Sequence, residues 1–198
     1  MRDAPALARA AADFSERFGV PDVVIANAGI SHGTLTEHAA DAAAFREILD
    51  VNVTGMVHTF APFVPEMRAA RRGTLVGIAS VAGFRGLPGA SAYSASKAAA
   101  ISYLESLRVE LGGSGVAVVT ICPGYVATPM TAGNPYRMPF LVDADKAARL
   151  IARAIARRRA FYVFPRPMAV VGRVLRVLPR PLYDRAFRHA PRKPRRPA

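Results

Sequence analysis

Three side chains between positions 80 and 97 have the types and the spacing needed for proton transfer at a carbonyl oxygen. Ser80 directly follows an apolar run, Leu75 to Ala79, that is typical of a buried strand. Tyr93 and Lys97 lie four residues apart at the start of an Ala-rich helix, and this spacing places both on one helix face. A free tyrosine has a pKa of about 10, and an ammonium ~5 Å away at an effective dielectric of ~20 should lower that pKa by about two units. Tyr93 could then exchange a proton with a substrate oxygen that Ser80 orients.

The surroundings of this motif make it informative, because a Tyr and a Lys at this spacing occur by chance in many chains. Asn27-Ala28-Gly29 ends an earlier strand, and Asn52 lies in the segment VNVTG within a helical pattern. Pro123-Gly124 ends a later strand, and Thr128 follows four residues beyond it. In order and spacing, these segments resemble the short-chain dehydrogenase/reductase family over about residues 13 to 130.

The resemblance implies a catalytic tetrad in this chain. Its members are Asn52, Ser80, Tyr93 and Lys97. In the family, the Asn holds a water that links the Lys to bulk solvent as a proton relay. From the residues alone, Asn52 could also be a core side chain with capping or water partners, since a polar group within an apolar stripe needs hydrogen bonds. The presence of the other three members favours the relay.

The resemblance also implies contacts with a nicotinamide cofactor, NAD or NADP, with NADP slightly favoured. The implied cofactor residues are Asn27, Ala28, Gly29, Tyr93, Lys97, Pro123, Gly124, Val126 and Thr128. In the family, the Asn-Ala-Gly segment lines the adenosine side, whereas the Pro-Gly segment and the Thr contact the nicotinamide and its carboxamide. A plain turn at the end of a strand would explain Asn27-Ala28-Gly29 equally well if that segment stood alone.

The alternation of strands and helices from Asp22 onward predicts an α/β fold, part of a Rossmann-type doubly wound parallel sheet. We expect an incomplete catalytic domain over residues 1–164 and a basic helical extension over 165–198. Pro62 and Pro65 should kink or split the second helix. The predicted helices are 4–18, 41–71, 91–111 and 143–159, and the predicted strands are 22–26, 73–79, 116–122 and 160–164.

The nucleotide-binding half of the family's fold has no counterpart in this sequence. That half opens with a strand, a Gly-rich turn and a helix whose N-terminus holds the pyrophosphate. Gly83, Gly86 and Gly89 also follow a strand, but they belong to the loop between Ser80 and Tyr93. We therefore expect about 60 residues, or two βα units, to be absent. Either Met1 is not the true start of the protein, or the 198 residues are a fragment or a degenerated copy. We expect these residues by themselves to bind NAD(P) weakly or not at all, with residues 22–26 as an uncovered apolar edge strand.

The net charge of +13 originates entirely in the C-terminal part of the chain. Residues 153 to 198 contain fourteen Lys and Arg but one acid, Asp184. Apolar residues and arginines alternate there at helical spacing, which indicates a basic amphipathic helix that contacts a membrane surface or a partner. A docked C-terminal helix with a solvated basic tail is the alternative. No nucleic-acid-binding motif or stacking array accompanies the charge, so nucleic acid is not expected as a partner.

The remaining features exclude other classes of protein. Cys122 is the only cysteine and lies in an apolar run, so we expect a buried thiol and no disulfide. The four histidines lack metal-ligand spacing, so no metal site is predicted. Neither a signal peptide nor a membrane span is recognisable, which favours the cytoplasm or the membrane periphery. Residues 131 to 142 lie where the family places its substrate lid, although an ordinary surface loop fits them as well.

Together these features predict an oxidoreductase that moves a hydride between a nicotinamide cofactor and a carbonyl/alcohol pair. The substrate is expected to be an apolar small molecule, Tyr93 to be the general acid/base, and the full-length protein to be a homo-oligomer. The alternative is a non-catalytic remnant that binds a membrane surface or a partner through 165–198. The intact tetrad favours the oxidoreductase, because decay would have damaged it.

Overall fold

A computed structural model of the protein describes residues 1–195, and its centre is one sheet of four parallel strands. The strands are β1 (Val23–Ala26), β2 (Thr74–Ile78), β3 (Ala117–Pro123) and β4 (Phe161–Phe164), and they lie in the order β1-β2-β3-β4. Because all four run in the same direction, their carboxyl ends meet at one edge of the sheet. This arrangement confirms the predicted α/β class and its parallel sheet.

Helices connect the strands and follow the last of them. They are α1 (Ala4–Phe18), α2 (Asp41–Leu49), α3 (Gly55–Phe60), α4 (Val64–Ala69), α5 (Ser91–Glu110), α6 (Pro129–Ala132), α7 (Ala144–Ala156), α8 (Arg166–Val177) and α9 (Arg180–Phe187). Side-chain caps fix the starts of two of them, since Asp3 accepts a hydrogen bond from the Ala6 amide and Asp143 accepts one from the Asp145 amide. Gly19 ends α1 with a φ of 72°, a left-handed conformation that glycine adopts without strain.

The sheet has an apolar core on each face, as expected for strands that are buried on both sides. On one face, Leu75 and Val118 pack against α3 and α5. On the other face, Val76 and Val119 pack against α7. Neighbouring residues of β2 therefore point into different cores, which explains the continuous apolar runs in the sequence.

The long helix predicted for 41–71 is interrupted twice. A π-helical turn (Asp50–Thr54) separates α2 from α3, and residues 61–63 separate α3 from α4. The second break confirms the expected effect of the prolines: Pro62 lies in the break, and Pro65 lies in the first turn of α4, where its missing N–H is not needed. The π turn was not predicted, and it contains Asn52. Such turns occur frequently at functional sites.

Strand β1 is an edge strand with one uncovered face, as predicted. Ile25 is paired in register with Val76, so its side chain lies on the face that α7 covers further along the sheet. Helix α7 does not extend to β1, and Val23 and Ile25 remain 41% and 46% exposed. Two β-branched side chains thus lie open beside an unpaired strand edge, which favours association with another strand or chain.

The helices after β4 pack on the loop that joins β2 to α5. A Cβ on Gly172 in α8 would lie 2.4 Å from the Phe84 ring, so only glycine permits this approach. Tyr183 in α9 donates a hydrogen bond from its hydroxyl to the Gly86 carbonyl, and the Arg85 guanidinium lies 4.6 Å from the centre of the Tyr183 ring. The inner side of the C-terminal extension therefore contacts the segment that carries the predicted catalytic residues.

Within residues 1–195, no helix is long and apolar enough to cross a membrane.

Candidate active site

Three of the predicted segments meet at the carboxyl edge of the sheet. Asn27, Ala28 and Gly29 directly follow β1, Ser80 follows β2, and Gly124 follows β3. Backbone hydrogen bonds continue the sheet at this edge, from the Ala79 amide to the Ile121 carbonyl and from the Gly124 amide to the Phe164 carbonyl, both at 2.7 Å. In parallel α/β sheets this edge is the usual place for a ligand.

Ser80 and Tyr93 are brought into contact by a close approach between a loop and a helix. After Ser80 the chain forms a single 3₁₀ turn, and Gly83 in that turn lies against α5, where a Cβ would meet the Lys97 carbonyl group at 2.7 Å. The Ser80 Oγ accepts a hydrogen bond from the Ala82 amide at 3.1 Å, which fixes the Ser80 side chain. The Ser80 Oγ also donates a long hydrogen bond to the Pro123 carbonyl at 3.5 Å, and the Ser80 hydroxyl lies near enough to the Tyr93 hydroxyl to lower the pKa of Tyr93. A hydroxyl pair of this kind can hold the oxygen of a carbonyl or an alcohol.

The proton affinity of Tyr93 differs from the expectation. Burial raises the pKa of Tyr93 above its usual value, and the hydrogen bond with Ser80 only opposes this rise in part. The Lys97 ammonium lies 5.7 Å from the centre of the Tyr93 ring. The prediction that the Tyr93 pKa is lowered was therefore wrong for this structure, because desolvation of the phenolate sets the direction of the shift. Tyr93 is held as a neutral phenol, the form that can donate a proton.

Lys97 is a buried cation at the centre of the site. It is 4% exposed, and its Nζ donates one hydrogen bond, to the Ile78 carbonyl oxygen at 2.7 Å. Burial lowers the pKa of Lys97 to about 8, while the nearby Cys122 thiol acts in the opposite direction. Cys122 is fully buried, as predicted, and desolvation raises its pKa to about 12, so the thiol stays protonated. An ammonium has three donors, and two of those on Lys97 have no partner within residues 1–195.

Asn52 holds the loop after β1 in place. Its Oδ1 accepts a hydrogen bond from the Ile30 amide at 2.8 Å, and its Nδ2 donates to the Ile30 carbonyl at 3.0 Å. The same Nδ2 also donates to the Ser96 Oγ at 3.0 Å, which joins the π turn to α5. Asn52 is 1% exposed, and these partners satisfy its amide. Its hydrogen bonds thus go to Ile30 and Ser96 and not to Lys97.

Gly29 lies between Asn52 and Lys97. A Cβ at this position would be 3.3 Å from the Asn52 Oδ1 and 3.6 Å from the Lys97 Nζ. The amide and the ammonium therefore line the same small space beside the loop after β1. This close approach favours the glycine of the Asn-Ala-Gly segment, since a Cβ would crowd the Asn52 Oδ1 and touch the Lys97 ammonium.

The remaining predicted cofactor residues lie after β1 and after β3, at the same edge of the sheet. Asn27 and Ala28 are exposed after β1, whereas Pro123 and Gly124 are partly buried after β3. Val126 pairs with Val142 across the loop after β3, and Thr128 is the N-cap of α6. The structure thus brings Ser80, Tyr93 and Lys97 together with Asn52 and Gly29, and places the other residues at the edge.

Several groups of the site were not predicted. Ser96 lies within the motif itself, one residue before Lys97, and its position three residues after Tyr93 could have indicated a shared environment. The backbone groups of Ile30 and Ile78 carry no signal in the sequence. Lys193 was also missed: its Nζ lies 5.9 Å from the centre of the Tyr93 ring, although Lys193 is 100 residues further along the chain. Within residues 1–195 no cluster of three or more His, Cys, Asp or Glu could hold a metal ion.

Comparison with known proteins identifies the family. Residues 1–137 match the family described as short chain dehydrogenase, which is more than half of the chain. The chain belongs to the short-chain dehydrogenase family.

Relatives of this dehydrogenase chain are found in several bacteria. It is 46% identical over 167 residues to an uncharacterized oxidoreductase of Myxococcus xanthus, an alignment that covers 84% of this chain and 66% of the relative. It is 34% identical over 171 residues to a cis-4-hydroxycyclohexanecarboxylate dehydrogenase of Sinomonas cyclohexanicum, with 85% and 67% covered. The chain thus spans about two thirds of the length of these curated relatives.

A solved structure supports the same dehydrogenase fold. A short chain dehydrogenase from Burkholderia cenocepacia, in complex with NADP, superposes with a TM-score of 0.80 at 24% identity. The superposition covers 93% of this chain and 74% of that protein. At this identity the likeness establishes the fold alone.

Proposed function

We propose that the protein is an oxidoreductase that transfers a hydride between NAD or NADP and a carbonyl/alcohol substrate. Tyr93 is the general acid/base, Ser80 holds the substrate oxygen, and Lys97 stabilises the charge that Tyr93 develops. The observation that carries this proposal is that the Tyr93 phenol lies beside both the Ser80 side chain and a buried ammonium, the Lys97 Nζ at 5.7 Å from the centre of its ring. The relative from Sinomonas cyclohexanicum is a dehydrogenase of a hydroxylated ring compound, which agrees with such a substrate.

The residues present fit a nicotinamide cofactor. Lys97 is buried at the carboxyl edge of the sheet, and two of its donors have no partner among residues 1–195. A pair of neighbouring hydroxyl groups such as those of a ribose would satisfy both. The exposed backbone of Asn27 and Ala28 lies at the same edge, and Gly29 leaves room beside the ammonium. When bound, the cofactor supplies or accepts the hydride. The NADP in the similar structure from Burkholderia cenocepacia agrees with this assignment, and the choice between NAD and NADP stays open.

In the direction of reduction, the chain's own residues supply the proton. As the carbonyl carbon gains a hydride, negative charge develops on its oxygen, and the Tyr93 hydroxyl donates its proton to that oxygen. Ser80 donates a hydrogen bond to the same oxygen and so keeps it within reach of Tyr93. The phenolate left on Tyr93 is stabilised by the Lys97 ammonium, which is worth more in this buried site than it would be in water. In oxidation the same groups act in reverse.

The roles of Asn52 and Gly29 in this proposal are positional. Asn52 ties the loop after β1 to α5, and so sets where Gly29 lies relative to Lys97. A water next to the Asn52 Oδ1 could pass protons between Lys97 and solvent, as the family resemblance implies. The intact arrangement favours an enzyme over a non-catalytic remnant. Burying these polar groups costs folding free energy, and without a function nothing would offset that cost.

Turnover by a Tyr93 variant tests the proposal. Tyr93→Phe should lower kcat for reduction of apolar ketones by NADH or NADPH by about 100-fold or more, since a positioned acid contributes at least that factor. Tyr103→Phe is the matched control, because Tyr103 lies on the same helix but packs against the core. Circular dichroism should show that both variants stay folded. Near-normal turnover by Tyr93→Phe, in a protein whose unaltered form reduces such ketones, would contradict the proposal.

A second proposal concerns the outer face of the C-terminal helices, which we call the outer valine face. Its members are Val170, Val174, Val177 and Leu182, which are 59%, 53%, 79% and 56% exposed. Arg173, Arg176 and Arg180 lie exposed on the same helices. The side of α8 that packs on the rest of the protein is formed by Met168 and Gly172. Packing of the helix on the core therefore does not explain why the exposed valines on the opposite side are apolar. We propose that this face binds an anionic membrane surface, because it combines exposed apolar area with positive charge.

A further inference from the structure

The last described residues, 191–195, lie beside the candidate active site, and we call them the tail segment. The Gly33 amide donates a hydrogen bond to the Pro194 carbonyl at 2.9 Å, and Gly33 pairs with Arg195 as in a parallel strand. Two glycines permit this contact. A Cβ on Gly33 would lie 2.2 Å from the Lys193 carbonyl oxygen, and one on Gly89 would lie 2.6 Å from the Arg192 Cβ. The tail segment is therefore packed between the loop after β1 and the loop before α5.

An ion pair fastens the end of the tail segment. Arg195 donates two hydrogen bonds to Asp41, from Nε at 2.8 Å and from a terminal nitrogen at 2.9 Å. Asp41 also accepts a hydrogen bond from the Leu35 amide at 2.8 Å, so its carboxylate is fully engaged. The pKa of Asp41 is lowered, mainly by the hydrogen bonds from Arg195. A forked pair of this kind fixes both position and direction of the chain.

Lys193 extends from this fixed backbone towards Tyr93. Its Nζ donates a hydrogen bond to the Ser31 Oγ at 2.9 Å and lies 5.9 Å from the centre of the Tyr93 ring. Ser31 belongs to the loop after β1, two residues beyond Gly29. The ammonium is therefore held in one place, next to the phenol that we assign as the proton donor.

Within residues 1–195, no carboxylate forms an ion pair with Lys193. The salt bridge of the tail segment joins Asp41 to Arg195, and the hydrogen bond of the Lys193 Nζ goes to the Ser31 hydroxyl. Lys193 is partly buried, and burial lowers its pKa. A desolvated ammonium with unused donors is stabilised by an anion. The tail segment also contains Arg192 and Arg195, yet Lys193 is the cation of these three that lies beside the Tyr93 ring. This placement is the reason to ask what Lys193 binds.

We propose that the tail segment forms one wall of the substrate site and that Lys193 binds an anionic group, in the first place a carboxylate, on the substrate. This inference rests on the proposed function and narrows its substrate from an apolar ketone or alcohol to one that also carries an acid. The Lys193 Nζ lies 5.9 Å from the centre of the Tyr93 ring, so we expect one small molecule to reach both groups, with its carboxylate on Lys193 and its carbonyl or alcohol oxygen at the Tyr93 hydroxyl. Keto acids and hydroxy acids have this geometry within one molecule.

Binding of matched probes to the purified protein tests the inference without requiring turnover. The probes are levulinate and acetoacetate, which are keto acids, and levulinamide and acetoacetamide, their neutral isosteres. Titration calorimetry should give a Kd for at least one acid about 10-fold or more below that of its amide, as expected for a hydrogen bond to a charged group. Lys193→Met should abolish this preference, whereas Lys193→Arg should retain most of it. Lys146→Met is the matched control, since Lys146 is exposed on α7.

A glycine variant tests the wall separately from the charge. Gly33→Ala should displace the tail segment, because the new methyl group meets the Lys193 carbonyl, and should remove the acid preference with Lys193 intact. Gly86→Ala is the control for this variant, since a Cβ there meets nothing within 4 Å. Loss of the preference in Lys193→Met and Gly33→Ala, with both controls unchanged, is the result we expect.

Two results would overturn the inference. One is an equal Kd for acid and amide in the unaltered protein, or an acid preference that survives in Lys193→Met. The other is tighter binding of all four probes by Gly33→Ala, which would mean that the tail segment only obstructs the site. Neither result bears on the proposed function, which Tyr93→Phe tests by turnover. Conversely, Tyr93→Phe should keep the acid preference in calorimetry even where it has lost turnover.

Discussion

The Nζ of Lys97 is bonded to the Ile78 carbonyl oxygen, the last backbone acceptor of β2, at 2.7 Å. This single hydrogen bond holds a buried ammonium at the carboxyl edge of the sheet, with no carboxylate beside it in the described chain. The site therefore keeps a positive charge where charge develops during proton transfer, and the fold is destabilised by that charge.

The burial of Lys97 makes the stability of the protein depend on pH. Its pKa falls from 10.5 to about 8 on folding, so between these values the unfolded chain binds more protons than the folded chain. The free energy of unfolding contributed by Lys97 should therefore rise by about 2 kcal/mol from pH 8 to pH 10. Urea denaturation at several pH values, for the unaltered protein and for Lys97→Met, measures this contribution as a difference.

Taking that difference removes the effects of Cys122 and Tyr93, whose raised pKa values act in the opposite direction at high pH. Lys97→Met should lack the rise and should be the more stable protein near pH 7. Lys146→Met, which alters an exposed lysine, should behave as the unaltered protein does. Parallel curves for the unaltered protein and Lys97→Met would show that Lys97 keeps its ordinary pKa in the fold.

Asn52 should contribute more to stability than an ordinary polar residue. Asn52→Ala leaves the Ile30 amide and carbonyl, which are partly buried, without their partners. The free energy of unfolding should fall by about 2 to 4 kcal/mol, since each buried unpaired group costs about 1 to 3 kcal/mol. Asn27→Ala, at an exposed position, should change it by less than about 0.5 kcal/mol. Equal denaturation midpoints for the two variants would refute this role of Asn52.

The outer valine face should bind anionic vesicles through both charge and apolar contact. The protein should sediment with vesicles of phosphatidylcholine and phosphatidylserine, less with phosphatidylcholine alone, and less again at 1 M salt, where the screening length is about 3 Å. Val174→Asp and Val177→Asp should each weaken binding by roughly 10-fold, because a side chain of this size gains about 1.5 kcal/mol or more on leaving water. Val109→Asp alters an equally exposed valine on α5 and should bind normally. Identical sedimentation of all three variants would argue against a membrane role for this face.

The elements that depend on local pattern could be predicted from the sequence. Helix α1, the four strands and the start of α5 lie within a few residues of their predicted positions, because apolar periodicity, capping residues and glycine stops act over one or two turns. The same holds for Ser80, Tyr93 and Lys97, since a strand end and an i, i+4 spacing place them together once the strand and the helix form. The uncovered face of β1 could also be predicted, because the strand is apolar on both faces and no earlier strand in the sequence could cover its free edge.

The tertiary structure alone decided which groups these side chains meet. The Asn52 amide bonds to a loop 22 residues earlier, and the Lys97 ammonium bonds to a carbonyl 19 residues earlier. The largest surprise, Lys193 beside Tyr93, joins the tail segment to Ser31 across 162 residues. The pKa of Tyr93 was misjudged for the same reason, since a spacing along one helix reveals a neighbouring charge but not how far the surrounding chain excludes water. Contacts between distant segments depend on the packing of whole elements, and no local pattern of residue types encodes them.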